Sequence, residues 1–418
     1  MVTPRAGPST LAALVGAADG GGMTKGARRD RGGESGRPGG GVGQWAAARE
    51  LFLDNLKVIL IAVIIAGHAI IGYSELDWWS YADVREVTLS SVTVAVLFAV
   101  AAPFALLVVP LLFLIAGLLT PLSLDRKGVR RFVRDRLLRL GIPFVLFALL
   151  IWPLLEYALF RLLGNPVGLL EEGSLDTGVL WFIGALLTFS LVYAAWIRVA
   201  GPRRGVRRSG AEIGLRHLLL LVAGVTVAAF LVRLAVPFEG DSKYVDLNFY
   251  QWPASVGLFG LGIAISGAGW LSAVPDRLRR LSRTATLVAA VAFAGAAIYG
   301  TTLEGEFEEV WGGGWHWRPL AFAAAESALA VFGAVWVLGV AQRRLDRRFR
   351  WARPAISRSA YGAFMLQGVV LFGLAVALRP LPLPAEVKAL GVATVGVAGC
   401  FALAWLLISR VPGVSRVL

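Results

Sequence analysis

The feature that most limits how this chain can fold is a series of long apolar runs after residue 50. Each run has about the length that a membrane-spanning helix needs. They cover residues 51–73, 96–122, 141–163, 177–197, 216–237, 252–272, 284–301, 319–341, 356–378 and 386–409. Because helices satisfy all their backbone polar groups within lipid, these runs predict an all-α polytopic membrane protein.

The polar breaks between the runs carry charge of alternating sign. Arginine clusters follow the second, fourth, sixth and eighth runs, whereas Asp and Glu dominate the breaks after the first, third, fifth and seventh. Cytoplasmic loops of membrane proteins are enriched in Lys and Arg. The alternation therefore predicts about ten transmembrane helices with both ends of the chain in the cytoplasm. A single miscounted span would destroy it.

Composition agrees with a membrane protein and argues against a nucleic-acid partner. Hydrophobic residues make up 57% of the chain and charged residues only 16%, which is more apolar than usual for soluble proteins. The net charge is +14, but the Lys and Arg residues stand in short clusters between apolar runs. We therefore expect a multi-pass protein of the plasma (cytoplasmic) membrane, with the lipid bilayer as its surroundings and no nucleic-acid partner.

Three domains are expected from the composition along the chain. Residues 1–48 are rich in Gly, Arg, Ala and Pro and predict a disordered cytoplasmic tail. Residues 49–410 would form the ten-helix membrane domain, and residues 411–418 a short cytoplasmic tail. The single cysteine, Cys400, gives no disulfide framework, and the spacing of the histidines suggests no metal site.

The first apolar run contains three ionisable residues on one helical face, Asp54, Lys57 and His68. Ionisable groups within a span are costly and tend to be functional. His68 is a candidate general base, since a neutral imidazole can accept a proton from a hydroxyl. It is equally compatible with a histidine that only bonds a neighbouring helix. Asp54 and Lys57 are spaced to form a simple ion pair.

A dense arginine run precedes the third span and contains Arg134, Arg136 and Arg139. Positive-inside topology explains a basic loop at this place. Guanidinium groups so close to an apolar run would also suit a bidentate grip on phosphate. Two weaker candidates are Glu326, a carboxylate within a span, and Trp181, which opens the fourth span. Glu326 could line a polar cavity or pair with a neighbour, and Trp181 could belong to an aromatic belt.

Taken together, four stretches resemble the membrane-bound acyltransferase 3 family, and within it the glucan biosynthesis protein C-like group. They are Leu53-Asp54-Asn55-Leu56-Lys57 with His68, Pro110–Gly117, Arg131–Pro143 with its Arg-x-Arg, and Leu180-Trp181-Phe182 with Ser359–Gln367. The family has Arg or Lys, ten residues and then His in its first span, and Lys57 and His68 match. Two positions depart from the family pattern. Gln367 stands where the late motif commonly has His, and Ala116 replaces a small hydroxyl residue.

The resemblance implies an enzyme that moves an acetyl or succinyl group from cytoplasmic acyl-CoA to an extracytoplasmic acceptor. The acceptor would be a glycan or another hydroxylated molecule, as in O-acetylation of polysaccharides. His68 would be the catalytic base, helped by Lys57, while Arg134, Arg136 and Arg139 would bind the phosphates of acetyl-CoA or succinyl-CoA. The residues expected to contact the acceptor are Asp54, Trp181, Glu326, Tyr361 and Gln367.

Two other hypotheses fit the residues. Ten spans with buried charges also suit a transporter of a lipid-linked sugar or a similar amphiphile. Gln367 in place of His keeps open an inactive scaffold or partner subunit. The discriminating feature is the set of Lys57, His68 and the Arg-x-Arg, because a carrier does not need a grip on CoA phosphates.

Overall fold

The computed structural model describes residues 51–74, 81, 85–162, 175–201, 213–236, 245–268, 270, 273–299, 313–349 and 354–414. The predicted tail 1–48 lies outside these residues. The helices are α1 (Leu51–Ile71), α2 (Ser91–Val96), α3 (Ala102–Lys127), α4 (Val129–Arg136), α5 (Ile142–Leu146), α6 (Trp152–Leu162), α7 (Trp181–Ala200), α8 (Leu215–Ala235), α9 (Trp252–Ser266), α10 (Asp276–Tyr299), α11 (Trp317–Arg344), α12 (Pro354–Leu378) and α13 (Ala385–Arg410).

The described part of the chain confirms an all-α polytopic membrane protein. Eight helical segments are long and apolar enough to cross a membrane. They are Leu51–Ile71, Ser91–Lys127, Val129–Ala158, Gly178–Ala200, Leu215–Ala235, Trp317–Arg344, Ala355–Leu378 and Ala385–Arg410. The other two predicted spans fall on α9, which has 15 residues, and on α10. The total of ten spans therefore stays a prediction.

Large apolar side chains cover the outside of these helices. Val199 is 89% exposed, Val291 74% and Leu149 57%. Soluble proteins rarely expose so much contiguous apolar surface. A surface of this kind is expected where lipid, not water, surrounds the helices.

Three π-helical turns interrupt the second and third spans, and each ends two residues before a proline. They are Leu97–Ala101 before Pro103, Leu137–Gly141 before Pro143, and Phe147–Ile151 before Pro153. Proline has no N–H for the carbonyl four residues earlier, and its ring clashes with that carbonyl. A wider turn relieves this clash and keeps the helix continuous within the membrane.

The expected loop over the arginine run was wrong. Residues Val129–Arg136 form α4, which continues through the π-turns into α5 and α6 as one helical segment. The arginine side chains therefore project from a helix that enters the membrane, and helical spacing separates them onto different faces.

Two very short strands form the only sheet among the described residues. β1 (Leu175–Asp176) pairs in parallel with β2 (Val245–Asp246). Both strands belong to acidic breaks, so two segments predicted to be extracytoplasmic meet. At the same predicted side, the backbone N–H of Ser90 donates to Glu386 at 3.1 Å.

The opposite helix ends also meet as the charge alternation predicts. The Asn55 amide, near the start of α1, donates to the carbonyls of Leu345 and Arg347 at 2.7 and 2.9 Å. Asp276, at the start of α10, pairs with Arg343 near the end of α11. Basic ends thus contact basic ends and acidic ends contact acidic ends. Which of the two sides is cytoplasmic remains a prediction.

Helices α3 and α9 cross at very short distance. A Cβ atom at Gly117 would lie 2.1 Å from the Phe259 carbonyl oxygen, and one at Gly262 would lie 2.3 Å from that of Leu114. Only glycine permits the two backbones to approach so closely. Gly117 ends one of the motifs that carry the family resemblance, so its role here is packing.

Candidate active site

The first two predicted site residues that the structure joins are His68 and Gln367. His68 lies in α1 and its Nδ1 is 2.9 Å from Oε1 of Gln367 in α12. The Gln367 Nε2 donates to the Phe364 carbonyl, also at 2.9 Å. This second bond orients the amide, so its oxygen faces the imidazole and Nδ1 must carry the proton. The basic lone pair of the ring is then at Nε2.

The imidazole borders a small cavity at the predicted outer end of α1, whose volume of about 10 Å³ has room for about one water molecule. Its lining is mostly aromatic and aliphatic and consists of His68, Ala69, Gly72, Tyr73, Tyr81, Leu371, Phe372, Ala375 and Val392. Tyr73 is 1% exposed, and its hydroxyl adjoins that of Tyr81 without forming a well-aligned hydrogen bond within the described residues. A buried donor without a partner is costly, so this hydroxyl is suited to bind an incoming oxygen.

A polar cluster adjoins this cavity and consists of Tyr81, Glu86 and Lys388. The Lys388 ammonium is 2% exposed and lies 2.5 Å from Oε1 of Glu86. The Tyr81 hydroxyl donates to Glu86 Oε2 at 3.0 Å. Burial would raise the pKa of Glu86, but the hydrogen bonds, chiefly from Lys388, hold that pKa below its ordinary value.

Lys57 and Asp54 form the ion pair that their spacing allows. Lys57 Nζ lies 2.8 Å from Asp54 Oδ1, and both side chains are about one-third exposed. From the rise per residue, Lys57 lies about 16 Å and Asp54 about 21 Å from His68 along the helix axis. Asp54 and Lys57 therefore belong to the predicted cytoplasmic end of α1, and His68 to the other end.

The three predicted phosphate-binding arginines point in different directions. Arg134 and Arg139 are exposed, whereas Arg136 is half-buried. The Arg136 guanidinium lies 5.0 Å from the centre of the Phe132 ring and 3.5 Å from the Thr120 hydroxyl of α3. Arg136 alone of the three thus turns toward the helix bundle.

Tyr361, predicted to contact the acceptor, is joined to the arginine helix. Its hydroxyl donates to the Arg139 carbonyl at 2.7 Å. That carbonyl lies four residues before Pro143 and lacks the usual N–H partner for this reason. The Tyr361 hydroxyl therefore satisfies this carbonyl, and the bond holds α12 against the start of the third span.

Trp181 and Glu326 are buried in different surroundings from His68. Trp181 is 8% exposed at the start of α7. Glu326 forms a buried ion pair with Arg233 of α8, whose guanidinium lies 5.0 Å from the Phe322 ring. Pairing is the usual way to accommodate a carboxylate within the membrane. Contact of Trp181 or Glu326 with an acceptor stays a prediction.

Sequence reasoning missed Tyr73, Tyr81 and Lys388. Lys388 gave a usable signal, since it is a lysine close to the predicted outer end of the last span. Such a charge needs a carboxylate partner, and Glu86 lies in an acidic break. The two tyrosines gave none, because aromatic residues are common at span ends.

The comparison with protein families decides what kind of protein this site belongs to. A family model described as an acyltransferase domain, that of acyltransferase 3, matches residues 50–409. The chain belongs to this family. Searches of curated proteins and of solved structures gave no match. The resemblance based on Lys57, His68 and the Arg-x-Arg is thereby confirmed at the level of the family.

This membership makes the chain a multi-pass membrane acyltransferase. The match covers nearly all the described residues, including the helices that carry His68, Arg136 and Gln367. It favours the enzyme over the transporter that the buried charges also suggested. The glucan biosynthesis protein C-like group remains a prediction.

Proposed function

We propose that this acyltransferase 3 protein moves an acetyl or succinyl group from cytoplasmic acyl-CoA to a hydroxyl of a glycan or similar extracytoplasmic acceptor. The observation that carries the proposal is the chain of bonds from His68 through Gln367 to Phe364. It holds the imidazole in the Nδ1–H tautomer, whose Nε2 is the basic atom. A general base must have its tautomer and direction set in this way.

The proposed reaction is a direct acyl transfer. Nε2 of His68 takes the proton of the acceptor hydroxyl while the oxygen attacks the thioester carbonyl. The tetrahedral intermediate collapses, the carbon–sulfur bond breaks, and the CoA thiolate leaves. The thiolate recovers the proton that the imidazolium holds, so the base is regenerated without any further reactant.

Tyr73 is the proposed donor to the oxyanion of that intermediate. It shares the cavity with His68, and its buried hydroxyl has no well-aligned hydrogen bond within the described residues, although it adjoins Tyr81. A donor that is already in place stabilises developing charge strongly in a site from which water is excluded. Gln367 acts as a positioning residue in this scheme, because its described contacts are His68 and Phe364.

The proposed path for acyl-CoA starts at the other end of α1. Arg136, which turns inward beside Thr120, is the best placed of the three arginines to hold a phosphate at the mouth of the bundle. Arg134 and Arg139, both exposed, would meet phosphates further out. Lys57 would give up part of its ion pair with Asp54 and contact the acyl-CoA instead.

The decisive experiment measures CoA release by the purified full chain in detergent, with acetyl-CoA and succinyl-CoA as donors. We expect His68→Ala to lose a factor of roughly 10² to 10⁴ in turnover. Tyr73→Phe should lose a factor of about 10². Both variants should still bind acyl-CoA, because neither residue contacts the donor phosphates.

The matched control is His316→Ala, which removes an exposed histidine at the start of α11. It should keep the wild-type rate. Equal CoA release by wild type and His68→Ala would overturn the mechanism. If neither releases CoA and binding does not depend on Arg136, an acyl-CoA donor is ruled out.

A further inference from the structure

A second cavity lies between the basic ends of α10 and α11, and none of its lining residues belongs to the helices that hold His68 and Arg136. Its volume is about 410 Å³. It is lined by Arg279, Arg283, Trp336, Val340, Arg343 and Arg344. Positive-inside topology accounts for arginines at these helix ends. It does not account for their convergence on one cavity with an indole wall.

The packing of α10 against α11 builds this cavity. The stem of Arg279 crosses α11 at Gly339, where a Cβ atom would lie only 2.8 Å from Arg279 Cδ. The side-chain amide of Gln342 accepts from the Val274 N–H at 2.9 Å and donates to the Trp270 carbonyl at 2.6 Å. These bonds hold the segment before α10 against α11. They fix the relative position of the two helix ends that carry the arginines.

The cavity carries an excess of positive charge. Four guanidinium groups line it, and one carboxylate, Asp276, pairs with Arg343 and lies 3.6 Å from Arg279. Four positive charges and one negative charge leave three uncompensated. The Nε atom of Arg279 is buried and has no hydrogen-bond partner in the part of the chain that the structure describes. Guanidinium groups in this arrangement are suited to a phosphate.

The cavity wall is apolar on the side that leads into the membrane. Val340 and Trp336 lie about one and two turns before Arg344 on α11 and are half-buried. A ligand in this cavity therefore meets guanidinium groups at one end and an indole and an aliphatic side chain at the other. This order fits an amphiphile that has a phosphate headgroup and an acyl chain.

We propose that this cavity binds the headgroup phosphate of an anionic phospholipid from the leaflet on the basic side. Basic pockets between transmembrane helices recognise anionic headgroups in this manner. The arginines would hold the phosphate, and Trp336 and Val340 would contact the first part of an acyl chain. The inference does not depend on the proposed acyl transfer, since none of these residues has a part in it.

Native mass spectrometry of the delipidated full chain tests the proposal, with phosphatidylglycerol and phosphatidylcholine as probes. The test variant is Arg283→Gln with Arg344→Gln, which spares the contacts of Asp276 with Arg279 and Arg343. The matched control is Arg277→Gln with Arg280→Gln, which removes the same charge from exposed positions of α10 outside the cavity lining. We expect phosphatidylglycerol to bind the wild type and the control equally, and the test variant roughly tenfold more weakly.

Three results would overturn the proposal. Equal weakening in the control variant would mean that diffuse surface charge holds the lipid. Equal binding of phosphatidylcholine would mean that the anionic charge is not recognised. Displacement by inorganic phosphate, with no loss in Trp336→Ala, would mean that the cavity takes a free phosphate and not a lipid.

Discussion

His68 and Gln367 illustrate at the residue scale how one hydrogen bond can survive a departure from the family pattern. A glutamine oxygen accepts the Nδ1 proton of His68 where the late motif commonly has another histidine. At position 367, either a glutamine or a histidine side chain offers a hydrogen-bond acceptor at a similar distance from the α12 backbone. The departure that suggested an inactive chain is therefore compatible with a positioned base.

We predict that Gln367→Leu lowers kcat about tenfold, because one buried hydrogen bond to the base is lost. The KM for acyl-CoA should stay unchanged, since Gln367 is remote from Arg136 along the predicted donor path. Steady-state kinetics with Gln367→His as the rescue variant checks this. A purely structural role for Gln367 would instead lower stability in both variants and leave the kcat of the folded fraction intact.

Glu86 allows a prediction about pH. Its pKa in the folded protein lies below the ordinary value, so its contribution to stability is complete above the unfolded pKa of about 4.3. That contribution is lost as the pH falls through the folded pKa. The difference in Tm between wild type and Glu86→Gln should therefore be large at pH 7 and shrink as the pH falls below about 4.

Thermal unfolding in detergent at several pH values measures this difference. Asp346→Asn, which changes an exposed carboxylate, is the comparison and should show little difference at any pH. A gap between wild type and Glu86→Gln that stays constant down to acid pH would contradict the role assigned to the ion pair with Lys388.

At the scale of elements, the backbones of α3 and α9 approach each other so closely at Gly117 that a Cβ atom there would lie 2.1 Å from a carbonyl oxygen of α9. Replacing Gly117 by Ala would force a methyl group onto the Phe259 carbonyl. We expect Gly117→Ala to destabilise the protein by about 2 kcal/mol or more, as overpacked cores do. Gly260→Ala on α9 is the control, because its Cβ would have no neighbour within 4 Å. Thermal stability in detergent distinguishes the two, and equal Tm values would contradict the close crossing.

The sequence predicted the positions of the long helices but not the π-turns within them. Apolar runs and charge alternation placed every described long helix, because lipid imposes length and loop charge on a chain. The π-turns before Pro103, Pro143 and Pro153 were missed, since proline alone does not say whether a helix kinks or widens. The charge of the arginine run predicts a loop, but the run is helical because it continues directly into the third span.

The site was predictable only where its residues are close in sequence. Asp54 and Lys57 are three residues apart, and their pair was expected from spacing. The partners of His68 and Lys388 lie 299 and 302 residues away. Nothing local marks such a pairing, and only packing of the helices reveals it.

For the whole molecule, the remaining question is which side faces the cytoplasm. We predict both ends of the chain to be cytoplasmic, with Asp346 on that side and His316 on the other. Single cysteines at these exposed positions, in a Cys400→Ala background, can be labelled with a membrane-impermeant maleimide. His316→Cys should react in intact cells, and Asp346→Cys only after permeabilisation. The reverse pattern would invert the topology and the proposed donor side.

The distance in sequence between His68 and its partner also has a consequence for synthesis. Helix α1 is among the first elements to leave the ribosome, whereas Gln367 follows 299 residues later. At the usual rate of translation this interval lasts roughly 15 to 60 s. During that time α1 waits in the bilayer with its charged end already neutralised by the pair of Asp54 with Lys57. The nascent chain therefore lacks the hydrogen bond that positions the imidazole until α12 has been inserted.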